Sequence, residues 1–239
     1  MPGTLYLLPT RLGETPWPLV LPAGVREIAC RLRHFIVENA KTARAQLKWL
    51  EHPMPLREIA IEQLPEPLQP ADIDRLLAPL RDGDDLGLMS EAGCPGVADP
   101  GALLVRRAHQ LGLPVKPLVG PSALLLALMA SGLEGQRFVF HGYLPPREPM
   151  RSRRITQLED ASRKRRETQI FIETPYRNAA LFGALLTACH PNTWLGVASD
   201  LTLPGEFILT QRIADWRRHV ASADFLERRP AVFLLLSAD

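Results

Sequence analysis

Several features that would announce a function are missing from this chain. Cysteine is scarce: Cys30, Cys94 and Cys189 are the only three among 239 residues. They form no CxxC pair and no Cys/His spacing of a zinc site, and their scatter implies no disulfide framework. Reduced thiols of a cytoplasmic protein, without a bound metal, are the expectation. Long apolar runs are missing too. The longest, Ala123 to Ala130, is far short of the roughly 20 residues that span a bilayer. The opening stretch, MPGTLYLLPTRLGE, has no basic segment ahead of a long apolar one and does not read as a signal peptide. Charge of either sign is not in excess: the net charge is +2 and the pI near 8.6, so composition demands no nucleic-acid partner. There is no GxGxxG and no P-loop lysine. The six histidines are dispersed and suggest no Ser/His/Asp triad, which leaves hydrolysis without support.

What is present is an alternation of short apolar runs and helix-like segments. Leu5 to Leu8, His34 to Val37, Ile59 to Ile61, Leu86 to Met89 and Val115 to Val119 read as strands. Gly24 to Leu32, Lys41 to Leu50, Pro70 to Leu80 and Ala102 to Leu111 read as helices between them, with stripes such as Ile73, Leu76, Leu77 and Leu80 at helical spacing. This pattern argues for a mostly parallel sheet covered on both faces. Gly120-Pro121 then punctuates the chain. The helix that follows, Ser122 to Ser131, is apolar all round, which predicts burial, between domains or between subunits. Strand candidates in the second half are Phe138 to Phe140, Gln169 to Ile172, Leu195 to Ala198, Phe207 to Leu209 and Val232 to Leu236. The Gly205-Glu206 break suggests a hairpin. The expectation is two α/β domains, residues 1–119 with a mostly parallel sheet and residues 120–239 with a mixed one, and a ligand cleft between them.

Ligands of parallel sheets bind beyond the carboxyl ends of the strands. Five segments stand at strand ends. SEAGCPGVADPG, residues 90–101, is long for a β-to-α turn, since these usually run about 2–6 residues. Its glycines permit positive φ and close backbone approach to a ligand. Glu91 or Asp99 could accept from hydroxyls or an ammonium, although Asp99 before Pro100 also reads as an N-cap with proline at N1. PTRLGE, residues 9–14, follows the first strand; a proline-rich turn is the plain alternative. Gly120-Pro121-Ser122 follows the fifth, where Ser122 is also a good N-cap. In the second half, Glu173 to Arg177 combines a carboxylate, an aromatic ring and a guanidinium, and Asp200-Leu201-Thr202 follows the next strand. Either could be an ordinary solvated loop. Residues 147–166 are rich in arginine: Arg147, Arg151, Arg153 and Arg154 could grip phosphates, or could be a solvated helix face.

Taken in order, PTRLGE, SEAGCPGVADPG, LVGPSA and FIETPYR resemble the tetrapyrrole methylase superfamily over almost the whole chain, and within it most closely the ribosomal RNA small-subunit methyltransferase I branch. The resemblance implies two α/β domains, a homodimer, and S-adenosylmethionine (SAM) bound in the interdomain cleft. Carried over position by position, it implies SAM contacts at Leu12, at Ala92, Gly93, Cys94 and Val97, at Ser122 and Ala123, and at Glu173, Leu201, Pro230 and Ala231. This chain departs from the branch in places. The usual Ser-Asp-Ala-Gly-Thr-Pro is Ser90-Glu91-Ala92-Gly93-Cys94-Pro95 here. The usual Glu-Asp-Thr-Arg after the second strand is Glu38-Asn39-Ala40-Lys41. A His-containing stretch is replaced near Ile61 to Leu64.

The implied activity is methyl transfer to ribosomal RNA, on naked RNA or the small ribosomal subunit, at a ribose 2′-hydroxyl. A base would assist there, with Glu173 and Asp200 as candidates and Arg177 as an orienting group. Arg147, Arg151, Arg153 and Arg154 would meet RNA phosphates. The rivals are a small-molecule methylase acting on a tetrapyrrole, a SAM- or RNA-binding protein without transferase activity, and, more distantly, a nucleotide-binding α/β protein.

Overall fold

In the first 122 residues five strands, β1 (Leu5–Leu7), β2 (His34–Val37), β3 (Ala60–Gln63), β4 (Leu86–Met89) and β5 (Val115–Pro117), form a sheet of order β3-β2-β4-β1-β5. Every pair is parallel. Parallel neighbours need crossovers, and the helices supply them: α1 (Ala23–Arg31), α2 (Ala40–Trp49), α3 (Pro70–Leu76), α4 (Ala78–Asp82) and α5 (Gly101–Gln110). From β1 the chain moves outward to β2 and β3, then returns to β4 and passes on to β5. Because such crossovers are right-handed, reversing direction puts the helices on opposite faces. The cores agree. Val25 and Leu47 pack with Phe35 and Val37 on one face, whereas Leu76, Leu80 and Leu104 pack with Ile36 and Leu88 on the other. The alternation of side chains along β2 is why its sequence is apolar on both sides.

This computed structural model describes residues 1–219 and 223–237. It divides into two compact units, Met1–Ser122 and a second beginning at Ala123. In the second unit, β6 (Phe138–Tyr143), β7 (Thr168–Glu173), β8 (Trp194–Ser199), β9 (Phe207–Arg212) and β10 (Ala231–Leu236) stand in the order β6-β7-β10-β8-β9. The β6–β7 pair is parallel and the rest antiparallel, including the β8–β9 hairpin around Gly205. Its core joins Phe171, Val197 and Phe233 of the sheet to α7 (Met150–Arg165), α8 (Asn178–Ala188) and α9 (Ile213–His219) through Ile155, Leu185 and Trp216. Trp216 is fully buried and its Nε1–H donates to Leu195 O at 2.9 Å, so the large ring adds apolar area without an orphaned donor.

Two expectations need correction. The single helix over 70–80 is two: Pro79 has no N–H and its ring would clash with the carbonyl four residues back, so α3 ends and α4 restarts with Pro79 in its first turn. Leu76, Leu77 and Leu80 stay buried across the break. The Asp99 N-cap shifts by one, since Pro100 occupies the cap position of α5. Within one copy of the chain, α6 (Ala123–Ser131) buries Ala127 and Leu128 and leaves Leu125 and Met129, one turn apart, exposed. Among the described residues, no helix is long and apolar enough to cross a membrane, and no group of three His, Cys, Asp or Glu could hold a metal ion.

Gly87 on β4 packs tightly against an aromatic ring of the core. A Cβ there would lie 2.6 and 2.7 Å from two ring carbons of Phe35, which is itself buried. Gly87→Ala is expected to destabilise by about 1–3 kcal/mol, the usual cost of overpacking. Gly24→Ala, at a helical position with nothing within 4 Å, is expected to stabilise by about 0.5–1 kcal/mol. Urea unfolding of the two variants checks both signs.

Candidate functional site

β1 and β4 are neighbours in the first sheet, yet their outgoing chains lead to helices on opposite faces, which opens a crevice beyond their carboxyl ends. The two loops that rim it are tied together. Thr10 N–H donates to Gly93 O at 2.8 Å and Gly93 N–H donates to Thr10 O at 3.0 Å, a two-residue antiparallel bridge. Thr10 is buried and its Oγ1–H donates to Ser90 O at 2.9 Å. Gly93 has φ +76°, a conformation that other residues adopt only with strain. A Cβ on it would touch Leu12 Cδ2 at 3.6 Å and Pro121 O at 3.8 Å. The Cys94 thiol lies against the same carbonyl, 3.5 Å away, and its burial pushes the thiol's pKa up. The loops after β1, β4 and β5 therefore meet at Gly93. That meeting draws Leu12, Gly93 and Cys94 together, with Ala92 and Val97 exposed on the same loop and Ser122 directly after Pro121.

Asp99 fixes the rest of the loop. Its carboxylate accepts Gly96 N–H at 2.8 Å and Gly101 N–H at 2.6 Å, joining the turn to the first turn of α5. It thus serves the helix start from one residue before the cap. Glu91 N–H donates to Glu38 Oε2 at 2.9 Å, and Asn39 caps α2 by accepting from Lys41 and Thr42. Sequence reading missed Gln46. It is buried on α2, its Oε1 accepts Arg11 N–H at 3.4 Å, and its Nε2 has no partner among the described residues. It lines a pocket of about 220 Å³ with Thr10, Leu12, Gly13, Glu91 and Ala92. A larger pocket, about 580 Å³, lies among Glu38, Gln63, Leu64, Glu66 and Pro100. An unpaired buried amide donor, an apolar Leu12 and no converging lysines fit a polar, non-phosphate ligand such as SAM.

The second unit gathers its own set by strand register. Ala231 on β10 pairs with Glu173 on β7 and with Ser199 on β8, so the three residues stand in a row on one face at one sheet end. The Glu173 side chain is fully buried. Its Oε1 accepts from Thr174 N–H at 2.7 Å and from Arg177 Nη2 at 2.7 Å, while Oε2 has no partner among the described residues. The Glu173 hydrogen bond raises the Arg177 pKa further. Asp200, at φ +51°, pairs with Arg229 at 3.4 Å and donates its N–H to Pro230 O at 3.2 Å; Leu201 beside it is buried. Glu173, Asp200, Leu201, Pro230 and Ala231 thus share an edge. Asn178 joins them unforeseen: buried at the start of α8, it donates Nδ2–H to Arg229 O at 2.6 Å and leaves Oδ1 unpartnered. Ser199 Oγ and Thr202 Oγ1 are likewise buried without partners among the described residues. A short polar residue opening a helix carries no sequence signal of this role.

The arginines do not act as one cluster. Arg151 is held by Glu148 at 2.9 Å. Arg154 lies 3.2 Å from His141 Nδ1, whose Nε2 meets Gln169 Oε1 at 2.6 Å. That pairing makes Nε2 the protonated nitrogen, and burial lowers the pKa of this histidine. Arg163 pairs with Asp160. Arg147, which precedes α7, and Arg153 are exposed.

A parallel sheet with a glycine loop at its switch point, followed by a mixed sheet, is the fold of a class of SAM-dependent methyltransferases. Over its full length the chain is similar to the crystal structure of the methyltransferase CobJ, at TM-score 0.61 and 18% identity, covering 95% of that chain. Residues 30–216 match the family of Tetrapyrrole (Corrin/Porphyrin) Methylases. The chain belongs to that family and is a SAM-dependent methyltransferase. It is 31% identical to the Ribosomal RNA small subunit methyltransferase I of Xylella fastidiosa (strain Temecula1) over 235 residues, 98% of this chain and 81% of that protein. It is 29% identical to the protein of the same name from Pseudomonas aeruginosa over 233 residues, 98% of this chain and 78% of that one.

Asp99 supplies a test by pH. Burial raises its carboxyl pKa, against the opposing hydrogen bonds from Gly96 and Gly101, and the charge of Glu38 adds to the rise. The folded state then holds this proton to higher pH than the unfolded chain does. Stability from the group is present below its ordinary pKa and is lost as pH rises through the raised one. Thermal unfolding between about pH 4 and 7 is expected to show the wild type losing ground to Asp99→Asn as pH rises; a widening advantage for the wild type would contradict it.

Proposed function

We propose that this enzyme transfers a methyl group from SAM to ribosomal RNA, at a ribose 2′-hydroxyl, in the cytoplasm. The observation that carries this is the meeting of three strand-end loops at Gly93 in a chain whose full-length relatives are named for ribosomal RNA of the small subunit. When bound, SAM supplies a methyl group on a positively charged sulfur, already activated for displacement, so the protein's task is positioning and the exclusion of water. Leu12, Ala92, Gly93, Cys94, Val97, Ser122 and Ala123 are proposed to hold it, with Gln46 Nε2 as a further donor. Glu173, Leu201, Pro230 and Ala231 are the contacts proposed from the second unit.

For the acceptor, Glu173 is the better of the two candidate bases. Its Oε2 has no partner among the described residues, whereas Oε1 is held by Arg177. Asp200 is already paired with Arg229. A homodimer is part of the proposal. The exposed Leu125 and Met129 on α6 support it by leaving apolar surface for a second copy to cover.

The test is a tritiated-methyl transfer assay offering small ribosomal subunits, naked ribosomal RNA and uroporphyrinogen. Label is expected in RNA; label in uroporphyrinogen alone would replace this reading by a small-molecule methylase, and tight SAM binding without transfer to any of them would replace it by a binding protein. Glu173→Gln is expected to cut transfer by about 10²–10⁴-fold. Cys94→Thr is expected to change SAM affinity, measured by calorimetry, by less than about tenfold, or 1.4 kcal/mol.

A further inference from the structure

Two tyrosines in the second unit are exposed at the same end of its sheet. Tyr143 ends β6 and is 60% exposed; Tyr176, in the turn after β7, is 74% exposed. β6 and β7 run parallel, with Tyr143 in register with Ile172, so their ends point the same way. Arg177 stands with them. Its guanidinium carbon lies 5.1 Å from the centre of the Tyr176 ring. Glu173 holds one end of the guanidinium, so it is fixed in place, and its Nε–H has no partner among the described residues. The chain leaving β6 carries Arg147, and the first turn of α7 carries Arg153. Both are exposed, and neither has a salt bridge or side-chain hydrogen bond among the described residues.

Exposed aromatic rings of this size need an explanation, because burying them is worth far more than leaving them in water. Nothing inside the unit covers them. Flat rings, a guanidinium held by Glu173 and the exposed Arg147 and Arg153 further along the same chain segment match one chemistry: an unstacked nucleobase with its phosphates. A duplex does not offer base faces to such a surface; a single strand does. We propose that Tyr143, Tyr176 and Arg177 form a stacking platform for a base of single-stranded RNA, with Arg147 and Arg153 meeting the adjoining phosphates. This rests on the ribosomal RNA reading and adds to it which residues receive the strand and in what form.

The platform is tested by fluorescence anisotropy with a labelled ten-nucleotide single-stranded RNA and a hairpin duplex of similar length, on the full chain. Tyr176→Ala is expected to weaken single-strand binding by about tenfold while its dependence on salt keeps the same slope. Tyr176→Trp is expected to restore the affinity. Arg153→Ala should instead lower the salt slope by about one. High exposure of Tyr176 makes a folding defect unexpected, and calorimetry with SAM on the same variant monitors it. Wild-type binding that survives Tyr143→Ala/Tyr176→Ala unchanged would overturn the platform and leave the RNA reading standing. Equal binding of hairpin and single strand would likewise overturn it. A wild type that binds neither RNA would overturn the platform, while the methyl-transfer assay decides the RNA reading separately.

Discussion

The pair of backbone hydrogen bonds between Thr10 and Gly93 is the constraint on which the site depends. Two loops that leave a sheet toward opposite faces have no covalent reason to stay together. The bridge supplies one, and the buried Thr10 hydroxyl on Ser90 O reinforces it. It also dictates residue type. Gly93 must adopt positive φ and pass close to Leu12 and Pro121. Gly120 in the third loop has no room for any side chain, because a Cβ would lie 2.3 Å from Pro9. Backbone brought this close presents fixed polar groups to a ligand without paying side-chain entropy on binding.

In the second unit the ordering principle is strand register. Glu173, Ala231 and Ser199 are adjacent because β7, β10 and β8 are, with a small residue between two polar ones. Around them Glu173 Oε2, Asn178 Oδ1, Ser199 Oγ and Thr202 Oγ1 are buried without partners among the described residues. Buried polar atoms in folded proteins are nearly always satisfied, and groups left over mark places where water or a ligand completes the network. Asn178 and Arg229 hold this edge together. One bonds the other's carbonyl, and the Arg229 guanidinium reaches Asp200 and Gly205.

Much of this was legible in the sequence, for identifiable reasons. The first sheet was readable because each strand is a short apolar run and each crossover a striped helix. β2 and β4 were read with their exact ends, His34–Val37 and Leu86–Met89. Errors came where local chemistry outweighed periodicity: Pro79 split a continuous stripe, and a turn over Leu56–Glu58 delayed β3 to Ala60. The long loop announced itself through its glycines. Its partner Gln46 did not, because a glutamine inside an amphipathic helix looks solvated until α2 is docked against Arg11. The arginine run shows another limit, since charge counted along a chain does not reveal that Glu148, His141 and Asp160 engage three of its members.

The central claim is that the crevice loops form one preorganised cradle for the methyl donor. Hydrogen exchange at the Thr10 and Gly93 amides tests it most directly, because those two protons make the bridge. They are expected to be protected well beyond ordinary loop amides in the free enzyme, and to slow further when SAM is added. Exchange of both at open-loop rates, unchanged by SAM, would contradict the account.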